Sequence, residues 1–147
     1  MYVDFDYECL EPLDELLDNI TCCFSAEPIE HKIIFNDDHY FNNALMACIP
    51  KHWFMQKVIE LVFDRAKIGI EYPNKMCEAL ETTGPIMLTK LYMASENKDD
   101  IFIIPAEIVS PFSKGDSENY LFNRGDKVLE SYLEKNRKSS SNTLFFR

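Results

Sequence analysis

From Pro50 the apolar positions Trp53, Phe54, Val58, Leu61, Val62 and Ala66 recur at helical spacing, which predicts one amphipathic helix over residues 50 to 67. A helix with a single apolar stripe must bury it against another layer, and the rest of the chain supplies short apolar strands. Met1 to Phe5 reads as a strand running into a polar turn, a second strand is expected at about 20 to 26, and Ile101 to Ile104 reads as a buried strand ended by Pro105. Pro12 to Asp18 fits one or two helical turns with Pro at the first helical position. Asn36 to His39 is a turn cluster, after which Asn42 or Asn43 is placed to cap a short helix through Cys48. Glu81 to Pro85 suggests a Thr82 or Thr83 cap and a further helix through about Ser95, with a loop over residues 98 to 100. Interleaved strands and helices without an internal repeat predict an α/β layer arrangement.

With 147 residues, 46% of them hydrophobic, the chain can bury one core but not two. Residues 1 to 112 read as that domain. Beyond Pro111 the chain turns polar, with a charged helix expected from Asp126 to Lys138 and a frayed end after Ser139 to Asn142. The net charge of −10 argues against a broad electrostatic hold on nucleic acid or anionic lipid. A phosphate-bearing ligand would then need a metal or a small cluster of donors. No apolar run approaches the roughly 20 residues of a membrane span.

Five cysteines, Cys9, Cys22, Cys23, Cys48 and Cys77, form an odd set without C-x-x-C spacing. In the apolar stretch Ile20 to Phe24, the side chains of Cys22 and Cys23 should point to opposite faces of a strand. Buried reduced thiols are the expected state, and with no basic, apolar leader at the N-terminus they place the protein in the cytoplasm.

Asp4 and Asp6 stand at the end of the first strand. Residues i and i+2 of a strand share a face, so the two carboxylates would project together and offer oxygen ligands suited to Mg²⁺ or Mn²⁺. The plainer alternative is a pair of solvated turn acids. A glycosidase acid and base pair is the least favoured use, because both groups would lie on one side of the scissile bond. His31 and His39 fall in polar turns and His52 in the first turn of the long helix, where surface roles are expected. Trp53 and Phe54 lie on the apolar stripe and are expected in the core.

The segment from Tyr2 to Leu17 resembles the D-x-D segment of glycosyltransferases whose sugar-binding region carries that motif, the family of fungal initiating mannosyltransferases and many bacterial capsular polysaccharide enzymes. Asn43 to His52 is similar to the family's segment before its long helix, Thr82 to Pro85 to its T-G-P turn, and Ile103 to Pro111 to the strand that follows. The resemblance implies a GT-A-like fold, a nucleotide-sugar donor, a glycan or lipid-linked glycan acceptor, a divalent cation (Mn²⁺ or Mg²⁺), and transfer with retention at the anomeric carbon. It makes Asp6 the direct metal ligand, with Asp4 contacting the donor ribose or sugar and sharing the metal through water. Asn43 would hydrogen-bond a sugar hydroxyl, unless it is simply a helix cap. Thr83 and Gly84 would offer backbone N–H groups to a sugar hydroxyl or phosphate, unless they form a plain cap and turn.

The resemblance also carries two departures. Met1 stands one residue before the motif's tyrosine, where family members have an N-terminal half that binds the nucleotide base. No histidine follows His52 and no tryptophan follows Trp53, where the family has both near its C-terminus. The expectation is therefore an incomplete GT-A-like domain, weakly active alone, with a non-catalytic remnant or subunit binding metal or sugar as the alternative. Self-association is expected if the missing half leaves a strand edge open.

Overall fold

The structure is a computed structural model that describes residues 1–5, 7–9, 12–29, 31, 41–65, 70–110 and 145–146. In chain order the elements are β1 (Tyr2–Val3), β2 (Glu8–Cys9), α1 (Asp14–Leu17), β3 (Cys22–Ala26), β4 (Phe41–Cys48), α2 (Trp53–Arg65), α3 (Lys75–Thr82), α4 (Pro85–Ala94), β5 (Ile101–Ile104), α5 (Ala106–Val109) and β6 (Phe145–Phe146). Four strands form a mixed sheet in the order β1-β4-β3-β5, in which β3 and β5 are parallel and β4 runs antiparallel to both β3 and β1. The class is α/β, as the interleaved pattern predicts.

Both faces of the sheet are covered. Cys22, Phe24, Phe41 and Ile101 face α2 and α4, packing with Phe54, Val58, Met87 and Leu88. Cys23, Leu45 and Ile104 face the other way, against Val109 of α5 and the leucines of α1. The alternation read from Cys22 and Cys23 thus holds, and both thiols are fully buried and unpaired. Burial pushes the Cys22 thiol up to about 12 and raises the Cys23 thiol as well.

Four expectations are corrected. The segment from Asn42 to Cys48 is strand and not helix, because β1 and β3 pair with it on either side. The pairing with β3 shifts between Phe24, opposite Met46, and Ser25, opposite Asn42. Asn42 does use its side chain locally, but its Oδ1 accepts the Ala44 N–H at 2.5 Å inside this irregular stretch of strand. The long helix begins at Trp53, not Pro50, since Lys51 takes a left-handed φ of 63° in the turn that precedes it. The chain end holds a strand, with Phe145 and Phe146 paired to Cys9 and Glu8. The helix expected over 126 to 138, the histidine at 39 and the end of the long helix at 66 to 67 lie outside the described residues.

Candidate functional site

Because β1, β3 and β5 share one direction, their carboxyl ends open at the same edge of the sheet, which is where α/β sheets place ligands. Asp4 leaves β1 at this edge. Its N–H donates to Ala44 O at 2.8 Å, which sets it opposite Ala44, the residue after Asn43 in β4, and its Oδ1 accepts from the Tyr2 hydroxyl at 2.6 Å. The strand stops at Val3, and the Tyr7 N–H closes a turn onto Asp4 O at 3.3 Å. Asp4 is therefore presented from a turn and not from the strand expected to align it with the next acid. Asp6 lies outside the described residues.

Asn43 is half-buried in β4, while its neighbour Asn42 is buried and donates from Nδ2 to the Tyr7 hydroxyl at 3.3 Å. Helix α4 points its N-terminus to the same edge: Thr89 Oγ1 accepts the N–H of Phe41 at the start of β4 at 3.2 Å, and Ser95, at the helix's far end, shares a cavity wall with Trp53. Gly84 is the residue at that N-terminus. The expected threonine cap of α4 is corrected here. Thr82 and Thr83 turn their hydroxyls back to the Glu78 and Ala79 carbonyls, at 2.7 and 3.3 Å, and so close α3. Gly84 follows because the two helices meet there, and a Cβ on it would stand 2.8 Å from Leu80 Cα. Helix α3 went unread in the sequence, although Asn74 caps it by accepting the Cys77 N–H at 2.9 Å.

Sequence reasoning also missed a pair at the end of β3, where buried Glu27 holds His31 Nδ1 at 2.5 Å. The signal was present as an acid and a histidine four residues apart, in a stretch read only as polar turn.

His52 is corrected from surface to core. It is 5% exposed at the opposite edge of the sheet, where its Nδ1 accepts the Phe54 N–H at 3.3 Å and caps α2. Phe54 is fully buried as expected, and Trp53 packs against the same core with its indole N–H on Asp100.

Asp4 supplies a hard oxygen donor of the kind Mg²⁺ and Mn²⁺ take. Among the described residues no three His, Cys, Asp or Glu side chains converge. None of the described helices is long and apolar enough to cross a membrane. Compared with family models, curated proteins and solved structures, the chain finds no match.

Proposed function

We propose that the chain is a glycosyltransferase-type domain of polysaccharide synthesis with a GT-A-like arrangement, moving a sugar with retention from a nucleotide donor to a glycan acceptor. The observation that supports this reading is convergence: Asp4, Asn43 and Gly84, distant in sequence, belong to elements that open at one edge of one sheet. Asp4 and Asp6 would hold Mn²⁺ or Mg²⁺. When bound, the cation offsets pyrophosphate charge, which an acidic chain cannot do with a general field, and stabilises the departing nucleoside diphosphate.

The chain's own groups orient the donor. The Asp4 carboxylate, fixed by the Tyr2 hydroxyl, accepts from a ribose or sugar hydroxyl. The Asn43 amide both donates to and accepts from sugar hydroxyls. The backbone N–H of Gly84, at the start of α4, meets an oxyanion or hydroxyl, whereas the Thr83 N–H, expected to do the same, is already given to Ala79 O at 3.1 Å.

The test is thermal unfolding of the 147-residue chain with and without Mn²⁺, followed by a panel of nucleotide sugars read as nucleoside diphosphate released. Mn²⁺ should raise the Tm, and Asp4→Ala and Asp6→Ala should each abolish the rise. Release that needs Mn²⁺ and is lost in Asp6→Ala supports transfer. A Tm shift without release under any donor assigns metal or sugar binding without catalysis, and equal shifts in the wild type and both variants overturn the site.

A further inference from the structure

Cys22 of β3 and Cys48 of β4 are register partners in an antiparallel pair. Just before them, the Ile49 N–H donates to Thr21 O at 2.8 Å, which marks Thr21 and Ile49 as a hydrogen-bonded pair. The next pair along, Cys22 and Cys48, is then of the non-hydrogen-bonded kind. In such a pair the Cα atoms approach to about 4.5 Å and both side chains leave on one face. That separation lies within the range that a disulfide spans, about 4.4 to 6.8 Å. The two thiols differ in access, since Cys22 is fully buried and Cys48 is exposed. One thiol can therefore meet a reagent from solvent while the other waits behind it.

We infer that Cys48 and Cys22 form a thiol-disulfide exchange site, in which Cys48 takes up a low-molecular-weight disulfide from solution and Cys22 resolves the adduct into a β3–β4 cross-link. In the first step the Cys48 thiolate attacks one sulfur of a disulfide RSSR. The Cys48–SR bond forms, the S–S bond of the reagent breaks, and RS⁻ leaves with the electron pair. In the second step the Cys22 sulfur, losing its proton to solvent base, attacks the Cys48 sulfur, and a second RS⁻ leaves and is protonated. The protein has lost two hydrogens, and the oxidant has become two thiols.

The geometry sets the order of events. Of the pair, Cys48 is the one that meets the reagent, and Cys22 has that exposed partner directly opposite. Cys23 faces the other side of the sheet with Leu45 and Ile104, and so cannot replace Cys22. Burial that holds the Cys22 proton makes the second step slower than the first. It also makes Cys22 a poor leaving group when a thiol attacks Cys48 to reverse the link. The cross-link forms slowly and is slow to reduce.

Oxidised glutathione on the folded full chain, followed by intact mass and non-reduced peptide mapping, tests this. Apart from any glutathione taken up at exposed Cys9 or half-exposed Cys77, which the peptide map separates, the wild type should join the fragment carrying residues 22–23 to the one carrying residue 48 with the loss of two hydrogens. Cys23→Ala should give the same link. Cys22→Ala should stop at the first step and keep one glutathione on Cys48, and Cys48→Ser, at an exposed position, should form no link. If Cys22→Ala fails to fold, the Cys23→Ala and Cys48→Ser maps decide alone. Glutathione retained on Cys48 of the wild type without a link, a link that persists in Cys22→Ala, or a link lost in folded Cys23→Ala overturns the inference.

Discussion

Asp100 serves three neighbours at once. Its backbone carbonyl accepts from Thr21 Oγ1 at 2.9 Å, and its Oδ2 accepts the Trp53 indole N–H at 2.8 Å. The same oxygen stands 3.2 Å from His52 Nε2, near enough for charge attraction though not aligned as a hydrogen bond. Since His52 Nδ1 accepts from Phe54, the ring carries its neutral-state proton on Nε2, toward the carboxylate. One side chain thus ties the loop before β5 to the first turn of α2. Asp100→Ala strands the Trp53 indole donor and removes the carboxylate beside His52 Nε2, and a loss of about 1–3 kcal/mol is expected in urea unfolding followed through Trp53. Trp53 is the chain's single tryptophan, so its emission should also move with the loss of the indole partner. A loss under about 0.5 kcal/mol, the scale of an ordinary surface change, would mean the cluster does not fasten the helix.

At the scale of elements, the corner between α3 and α4 is a tight joint. A methyl at position 84 would lie 2.8 Å from Leu80 Cα and 2.9 Å from Ala79 O, both backbone atoms that move only if the helices part. Gly84→Ala should therefore cost about 1–3 kcal/mol, read as a lowered urea midpoint at unchanged slope. An unchanged midpoint would show that the corner yields freely. The same stretch marks how far the sequence could be read. Helix α2 was legible because its apolar positions keep helical spacing, and strands β3 and β5 because each is a short, mostly apolar run bounded by polar residues or proline. Strand β4 was not, because its register shifts part-way and an asparagine that bonds its own backbone resembles a helix cap. At the candidate site, Asp4, Asn43 and Gly84 were legible as positions. Their shared edge was not, since only the pairing of β1 with β4 and the direction of α4 bring them together.

For the whole molecule, Cys22 and Cys23 put one thiol into each of the two cores, and both are held protonated by burial. A thiol whose folded pKa is raised keeps its proton after the unfolded chain has released it. The unfolded state then binds fewer protons, and stability falls as pH climbs. The contribution is intact below the ordinary value of 9.0 and fades as pH rises toward about 12. Urea midpoints measured under reducing conditions from neutral pH to pH 11 should decline above 9, and the decline should be shallower in Cys22→Ala. Parallel declines in the two proteins would show that this thiol does not set the alkaline limit.

The register shift in β4 has a consequence for descent. Phe41 and Met46 are five residues apart yet pack on the same face, which an unbroken strand of period two forbids. The irregular stretch from Asn43 to Leu45 works as a phase inverter, seating Phe41 beside Phe24 and Tyr92. Losing one codon there would set Phe41 and Met46 four residues apart, and plain alternation would then seat both on this face without any inversion. Losing or gaining codons in pairs leaves the odd spacing and the inversion in place, so lineages carrying this fold should pair an odd spacing in β4 with an irregular strand and an even spacing with a regular one.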